Sequence, residues 1–195
     1  MNYLAHVYLS YENEEILAGN LMADFIKGKP DTSLPDGIIR GITLHRIIDS
    51  YTDQHPVVLE SKKSLYPVFG KYAPVVLDVF YDHILANDWL TYSNKSLKAF
   101  TQRNYKLMNA QIEWMPEILQ LRLPSMINHD WLSGYKTIGG ITRSFDRLRA
   151  RVSKPEKLKD APQFLFENME YLSKGFNQFF PDVEQLAQEF IESDQ

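Results

Sequence analysis

The sequence contains no cysteine. A disulfide scaffold, a thiolate metal site and a cysteine nucleophile are therefore excluded, and any metal must be held by histidine and carboxylate. Long hydrophobic runs are missing too: Asp, His, Lys or Pro interrupts each apolar stretch before it nears the ~20 residues of a membrane helix. The opening residues MNYLAHVYLSYENEE lack the basic start and the roughly 7 to 15 residue apolar core of an export signal. A soluble, cytoplasmic protein with no membrane partner is the expectation. Nor is there an excess of positive charge, since 21 Lys+Arg stand against 25 Asp+Glu for a net charge of -4. Generic nucleic-acid binding is disfavoured by that balance. Internal repeats, low-complexity segments and alternating strand patterns are absent as well.

What is present is 195 residues that are 44% hydrophobic, enough for a sizeable core in one domain spanning 1–195. Residues 35–53, PDGIIRGITLHRIIDSYTD, carry apolar side chains at 38, 39, 42, 44, 47, 48 and 51. That is the period of a helix and not of a strand. Residues 73–92, APVVLDVFYDHILANDWLTY, read as a second, longer helix, with Pro74 near its start where the missing N–H is harmless. Helical patterns also cover about 3–10, 13–27, 57–66, 95–114, 117–121, 137–152 and 163–192. Pro30, Pro35, Pro56, Pro67, Pro74, Pro116, Pro124, Pro155 and Pro162 punctuate them. The expected fold is all-α and irregularly packed.

Polar residues stand where this core should be apolar. Ile38, Ile42, His45 and Asp49 follow helical spacing, which places an imidazole and a carboxylate one turn apart on an apolar stripe. Val75, Asp78, Asp82, Leu85 and Trp89 repeat the anomaly with two carboxylates, and His83 follows Asp82 directly. Two carboxylates one turn apart repel, and the remedies are a raised pKa, a basic partner or a bound cation. One cation would serve both helices. His6, inside the aromatic NYLAHVYLSY, and Asp24, between Ala23 and Phe25, join the candidate set.

Carboxylates favour Mn²⁺ or Mg²⁺ and imidazoles favour Zn²⁺, Fe²⁺ or Ni²⁺, so the residue types do not select one ion. Each residue also has a plainer reading. His6 can be a hydrogen-bonded core histidine, and His45 with Asp49 a buried His–Asp pair. The pair Asp78 and Asp82 is harder to explain structurally, because carboxylates seldom occupy core stripes. His55, beside Pro56, and His129, in a polar turn, read as surface or capping residues.

The blocks NYLAHVYLS, LAGNLMADFIKGK, GITLHRIIDSYTDQHP and LDVFYDHILANDW, in this order and spacing, with GFNQFFPDVEQLA near the end, closely resemble the acyl carrier protein phosphodiesterases. That family is distantly similar to the HD superfamily of metal-dependent phosphohydrolases. These are all-helical proteins whose His and Asp ligands come from different helices; here the pair reads in inverted order as Asp82-His83. The resemblance implies an HD-like helical bundle that hydrolyses the phosphodiester of holo-acyl carrier protein to apo-protein and 4′-phosphopantetheine. It also implies a divalent cation such as Mn²⁺, with Mg²⁺, Fe²⁺ or Zn²⁺ as other candidates.

In that light His6, His45, Asp49, Asp78, Asp82 and His83 are candidate metal ligands. Arg46 could meet a phosphoryl oxygen bidentately, or pair with Asp49 or Asp53. Asp24, Asp53 or a metal-bound water could supply the general acid. The charge map suits an acidic carrier protein: residues 143–159 hold seven Lys/Arg against Asp146 and Glu156, a net of +5. Arg143, Arg147, Arg149, Arg151 and Lys154 are the expected dock, with Lys62 and Lys63 or Lys27 and Lys29 as competing patches. Two other functions compete: an HD-like hydrolase of nucleotides or other small phosphoesters, and a helical binding protein without catalysis.

Overall fold

The computed structural model describes residues 1–193, so the last two residues of the expected domain lie outside it. Among the described residues there is no strand, as the missing alternation requires. The chain begins with the short helix α1 (Tyr3–Tyr8), capped by the Asn2 side chain, and α2 (Glu14–Met22), capped by Asn13, whose carboxamide oxygen accepts from the Ile16 N–H. A single 3₁₀ turn, Ala23–Phe25, closes α2 and carries Asp24.

Helix α3 (Asp36–Gln54) follows, with Asp36 in its first turn, where the helix dipole favours a carboxylate. It ends at His55, which is held extended before Pro56 because a residue preceding proline is pushed out of the helical region. Pro56 then opens α4 (Pro56–Phe69), and α5 (Ala73–Asn87) carries Pro74 in its first turn. Helix α5 is buried almost all round, from Val76 and Leu77 through Leu85 and Ala86, and is the central rod of the core. It stops at Asp88, so the expected helix over 73–92 is two elements, α5 and α6 (Trp89–Tyr92).

The rest is α7 (Leu97–Ala110), α8 (Glu117–Asn128), α9 (Trp131–Gly134), α10 (Ile138–Arg149), α11 (Ala161–Glu167) and α12 (Met169–Glu192). Three prolines lie inside helices instead of ending them: Pro67 in α4, Pro124 in α8 and Pro181 in α12. Each is exposed, as are Lys63, Gln120 and Asn177 four residues earlier, so water can take up the carbonyl that proline leaves unpaired. The expected stops at Pro67 and Pro124 are corrected on that ground.

Two features position the site. Helices α2 and α3 cross at Gly19 and Gly41 so closely that a methyl group on either would run into backbone of the other. Helix α12 then lies across α3, α4 and α5. Its Glu184 accepts from the Tyr8 hydroxyl, and Arg40 of α3 donates to the carbonyls of Phe190 and Ile191 at 3.3 Å.

Candidate active site

The close crossing brings Asn20 of α2 against His45 of α3, and α1 adds His6. The Asn20 amide is oriented by its own donors, since Nδ2 donates to the His6 carbonyl and to Ser10 Oγ, both at 3.0 Å. Its Oδ1 therefore faces the two rings as an acceptor. His6 Nδ1 donates to that oxygen at 2.7 Å, and His45 Nδ1 donates to the Asn20 carbonyl at 2.8 Å. With both Nδ1 atoms donating to Asn20, the Nε2 atoms of both rings face the opposite side, where each can offer a lone pair once its ring is neutral.

That side is acidic. His6 Nε2 lies 3.2 Å from Asp49 Oδ1, His45 Nε2 lies 3.1 Å from Asp49 Oδ2, and Asp24 Oδ1 is 3.2 Å from His45 Nε2. The two rings stack at 4.1 Å between centroids with 16° between planes. Both histidines are buried, Asp49 is half-buried and Asp24 is exposed, so the group opens to solvent at Asp24.

The electrostatics divide the two imidazoles. Burial drives the His6 pKa down to about 4, against the pull of Asp49. Burial also opposes charge on His45, but hydrogen bonds and charges from Asp24 and Asp49 outweigh it and raise that pKa to about 9. Asp49 is held well below the ordinary carboxylate range, because the two histidines and the nearby α-ammonium of Met1 overcome its burial. The His45 bond likewise lowers Asp24. The Met1 ammonium sits 3.1 Å from Asp49 Oδ1 and 3.6 Å from Asp78 Oδ1.

His6, His45 and Asp49 can hold a metal ion, for their ligand atoms lie within 4.8 Å of one another. The donor chemistry fits. His6 Nε2 is buried without a hydrogen-bond partner, and Asn20 fixes the tautomer that ligation needs. Ligand atoms around a first-row ion at ~2.1 Å stand roughly 3 to 3.4 Å apart, and the two nitrogen-to-carboxylate separations to Asp49, 3.2 and 3.1 Å, fall in that range.

The remaining sequence candidates are placed differently. Asp78 reaches the group only through the Met1 ammonium, and burial raises its pKa. Asp82 is not brought to the ligand atoms: its two oxygens accept the backbone N–H groups of Leu4 at 2.8 Å and Ala5 at 3.0 Å, so α5 holds the first turn of α1. Burial lifts its pKa to about 7, with the two N–H groups working the other way. His83 also points elsewhere, with Nδ1 donating to the Tyr135 carbonyl at 2.6 Å and Nε2 accepting from Asn87 Nδ2 at 2.8 Å.

Arg46 donates to the carbonyls of Ile26 at 3.3 Å and Gly28 at 2.6 Å, tying down the loop after Asp24, and it pairs with neither Asp49 nor Asp53. Asp53 instead meets Lys62 Nζ at 2.6 Å. In the basic segment, Arg143, Arg151 and Lys154 are exposed, and Arg149 pairs with Asp146 at 3.3 Å. Arg147 is half-buried, with its guanidinium 4.1 Å from the Trp131 ring centroid and Nη2 donating to Ser144 Oγ at 2.9 Å. The residue that the sequence reading passed over is Asn20, a buried amide on an otherwise apolar α2.

The chain is similar to known proteins over nearly its whole length. The family model described as acyl carrier protein phosphodiesterase matches residues 1–183. Proteins named acyl carrier protein phosphodiesterase from Pectobacterium atrosepticum and Klebsiella pneumoniae are similar at 32% identity over 188 residues and 33% over 196 residues. Those alignments cover 96% of this chain in each case, and 97% and 98% of the relatives. A protein of the same name from Enterobacter sp. is 31% identical over 182 residues, 93% of this chain and 94% of that one. No solved structure matches.

Proposed function

Because the chain belongs to the acyl carrier protein phosphodiesterase family, we propose that it hydrolyses holo-acyl carrier protein to apo-protein and 4′-phosphopantetheine at the His6, His45, Asp49 and Asp24 group. The observation that carries this is the convergence of both Nε2 atoms on Asp49 at 3.2 and 3.1 Å. His6, His45 and Asp49 would hold a divalent ion, Mn²⁺ first among the candidates, with Asp24 at its solvent side. A bound ion supplies Lewis-acid polarisation of the phosphoryl oxygens and neutralises charge that develops in the displacement.

The protein's own groups do the rest. Asp24, kept ionised by His45 and exposed, suits the acceptor role for a proton from the attacking water. As the water oxygen bonds to phosphorus, the phosphorus–serine oxygen bond breaks, and that oxygen takes up a proton from solvent water and leaves as the carrier's serine hydroxyl. Asn20 positions both imidazoles, and Asp82 positions α1 beneath His6. Arg143, Arg149, Arg151 and Lys154 offer the acidic carrier a basic docking face, and the reading places the reaction in the cytoplasm.

Purified protein incubated with holo-carrier and Mn²⁺ should convert it to the apo-form, read by mass spectrometry as loss of phosphopantetheine. Holo-carrier of unchanged mass would overturn the reading.

A further inference from the structure

Beside Asp24 the surface dips into a cleft of about 180 Å³, lined also by Asn2 at the start of α1 and by Ser144, Arg147 and Arg151 from the α10 region. Asp24 thus belongs both to this cleft and to the histidine group, where its Oδ1 meets His45 Nε2 at 3.2 Å. Arg147 is the unusual member. Its guanidinium is half-buried, stacked at 4.1 Å on Trp131 and steered by a 2.9 Å bond to Ser144 Oγ. Among the described residues neither Arg147 nor Arg151 forms an ion pair, although their neighbour Arg149 does.

Withdrawing a guanidinium partly from water without a carboxylate to pair with is costly unless an anion completes the arrangement. The stack on Trp131 removes most of the side chain's freedom, so the N–H fork is preorganised for an incoming group. A fork of that kind matches two oxygens of a phosphate ester.

We propose that this cleft is the anion subsite of the enzyme and that Arg147 binds the phosphate ester there, next to the ligand group and not on the docking face. Arg147 thereby leaves the set of carrier-docking cations and becomes a substrate-binding residue. The inference rests on the phosphodiesterase reading for the class of its substrate, but Arg147, which carries it, lies outside the His6, His45, Asp49 and Asp24 group.

The test is binding of inorganic phosphate and of 4′-phosphopantetheine to the full chain by isothermal titration calorimetry, with Mn²⁺ and after chelation. In both conditions Arg147→Gln should weaken both ligands roughly ten-fold or more, the range for losing a charge-assisted hydrogen bond. Arg147→Lys, which keeps the charge but not the fork, should fall between, and Lys174→Gln, at an exposed position of α12 outside the cleft lining, should match wild type. In hydrolysis, Arg147→Gln should raise KM for holo-carrier, while a melt shows the variant folded; if it does not fold, Arg147→Lys decides. Wild-type affinity in Arg147→Gln, or no binding by the wild type, overturns the subsite. A wild type that leaves holo-carrier intact yet loses 4′-phosphopantetheine binding on Arg147→Gln would sink the function and keep the subsite. Normal hydrolysis with unchanged binding and KM in the variant would do the reverse.

Discussion

Asn20 settles what neither histidine settles for itself, namely which nitrogen faces Asp49. Replacing it by alanine removes the acceptor that holds His6 Nδ1 and the donor on Ser10 while leaving every ligand atom in the chain. Outer partners of metal ligands are worth ~10 to 100-fold in affinity, so Asn20→Ala should weaken Mn²⁺ by about that factor in a titration and lower turnover at limiting metal. The two imidazoles also predict a pH dependence. The folded pKa of His45, about 9, stands above its ordinary 6.5. Without metal, its contribution to stability is therefore complete below pH 6.5 and is lost as the pH rises through about 9. Thermal midpoints of chelated wild type and His45→Gln should differ most below pH 6.5 and converge above about 9. Since an ion must displace the same proton, Mn²⁺ affinity should climb over that interval.

Among the elements, the α2–α3 crossing is the least tolerant of change. A methyl group at Gly41 would come within 2.9 Å of Gly19 Cα and closer still to the Ile16 carbonyl. Backbone cannot rotate aside as a side chain does, and overpacking costs ~1 to 3 kcal/mol or more. Gly41→Ala should lower stability by at least that in urea melts and weaken Mn²⁺ by parting Asn20 from His45. Asp82→Ala should act through α1: two buried N–H groups, of Leu4 and Ala5, lose their acceptor, at ~1 to 3 kcal/mol each. Turnover should drop along with the melting midpoint, and a midpoint equal to wild type would refute the helix-holding role. These elements also mark how far the sequence could be read. Periodicity sufficed for α3, and with it His45 and Asp49 on one stripe. It failed at Asp82, because a carboxylate on a core stripe looks the same whether it faces a metal or the N–H groups of a helix distant in sequence. Asn20 stayed hidden because one amide among apolar neighbours carries no period. Helix α9 was missed because four residues are one turn, too short to show a pattern.

Across the whole molecule, charge is distributed so that a net-acidic chain still carries a basic segment over 143–159, of which Arg147 and Arg151 line the cleft. Reversing Arg143, Arg149 and Lys154 together to Glu should lower kcat/KM for holo-carrier at low salt while sparing hydrolysis of a small phosphodiester. The gap should narrow as salt rises, since screening acts over ~8 to 10 Å near physiological ionic strength. No helix of the described residues is long and apolar enough to cross a membrane. The clamp of α12 on the early helices bears on synthesis. All four side chains of the histidine and aspartate group have been made by residue 49, yet the helix that braces α1 and α3, through Glu184 and the carbonyls of Phe190 and Ile191, comes from the far end of the chain. Contacts spanning 150 or more residues close only after the entropy of a long loop has been surrendered. On the ribosome, the part of this protein that carries His6, Asp24, His45 and Asp49 therefore emerges first and waits, unbraced, until α12 is released.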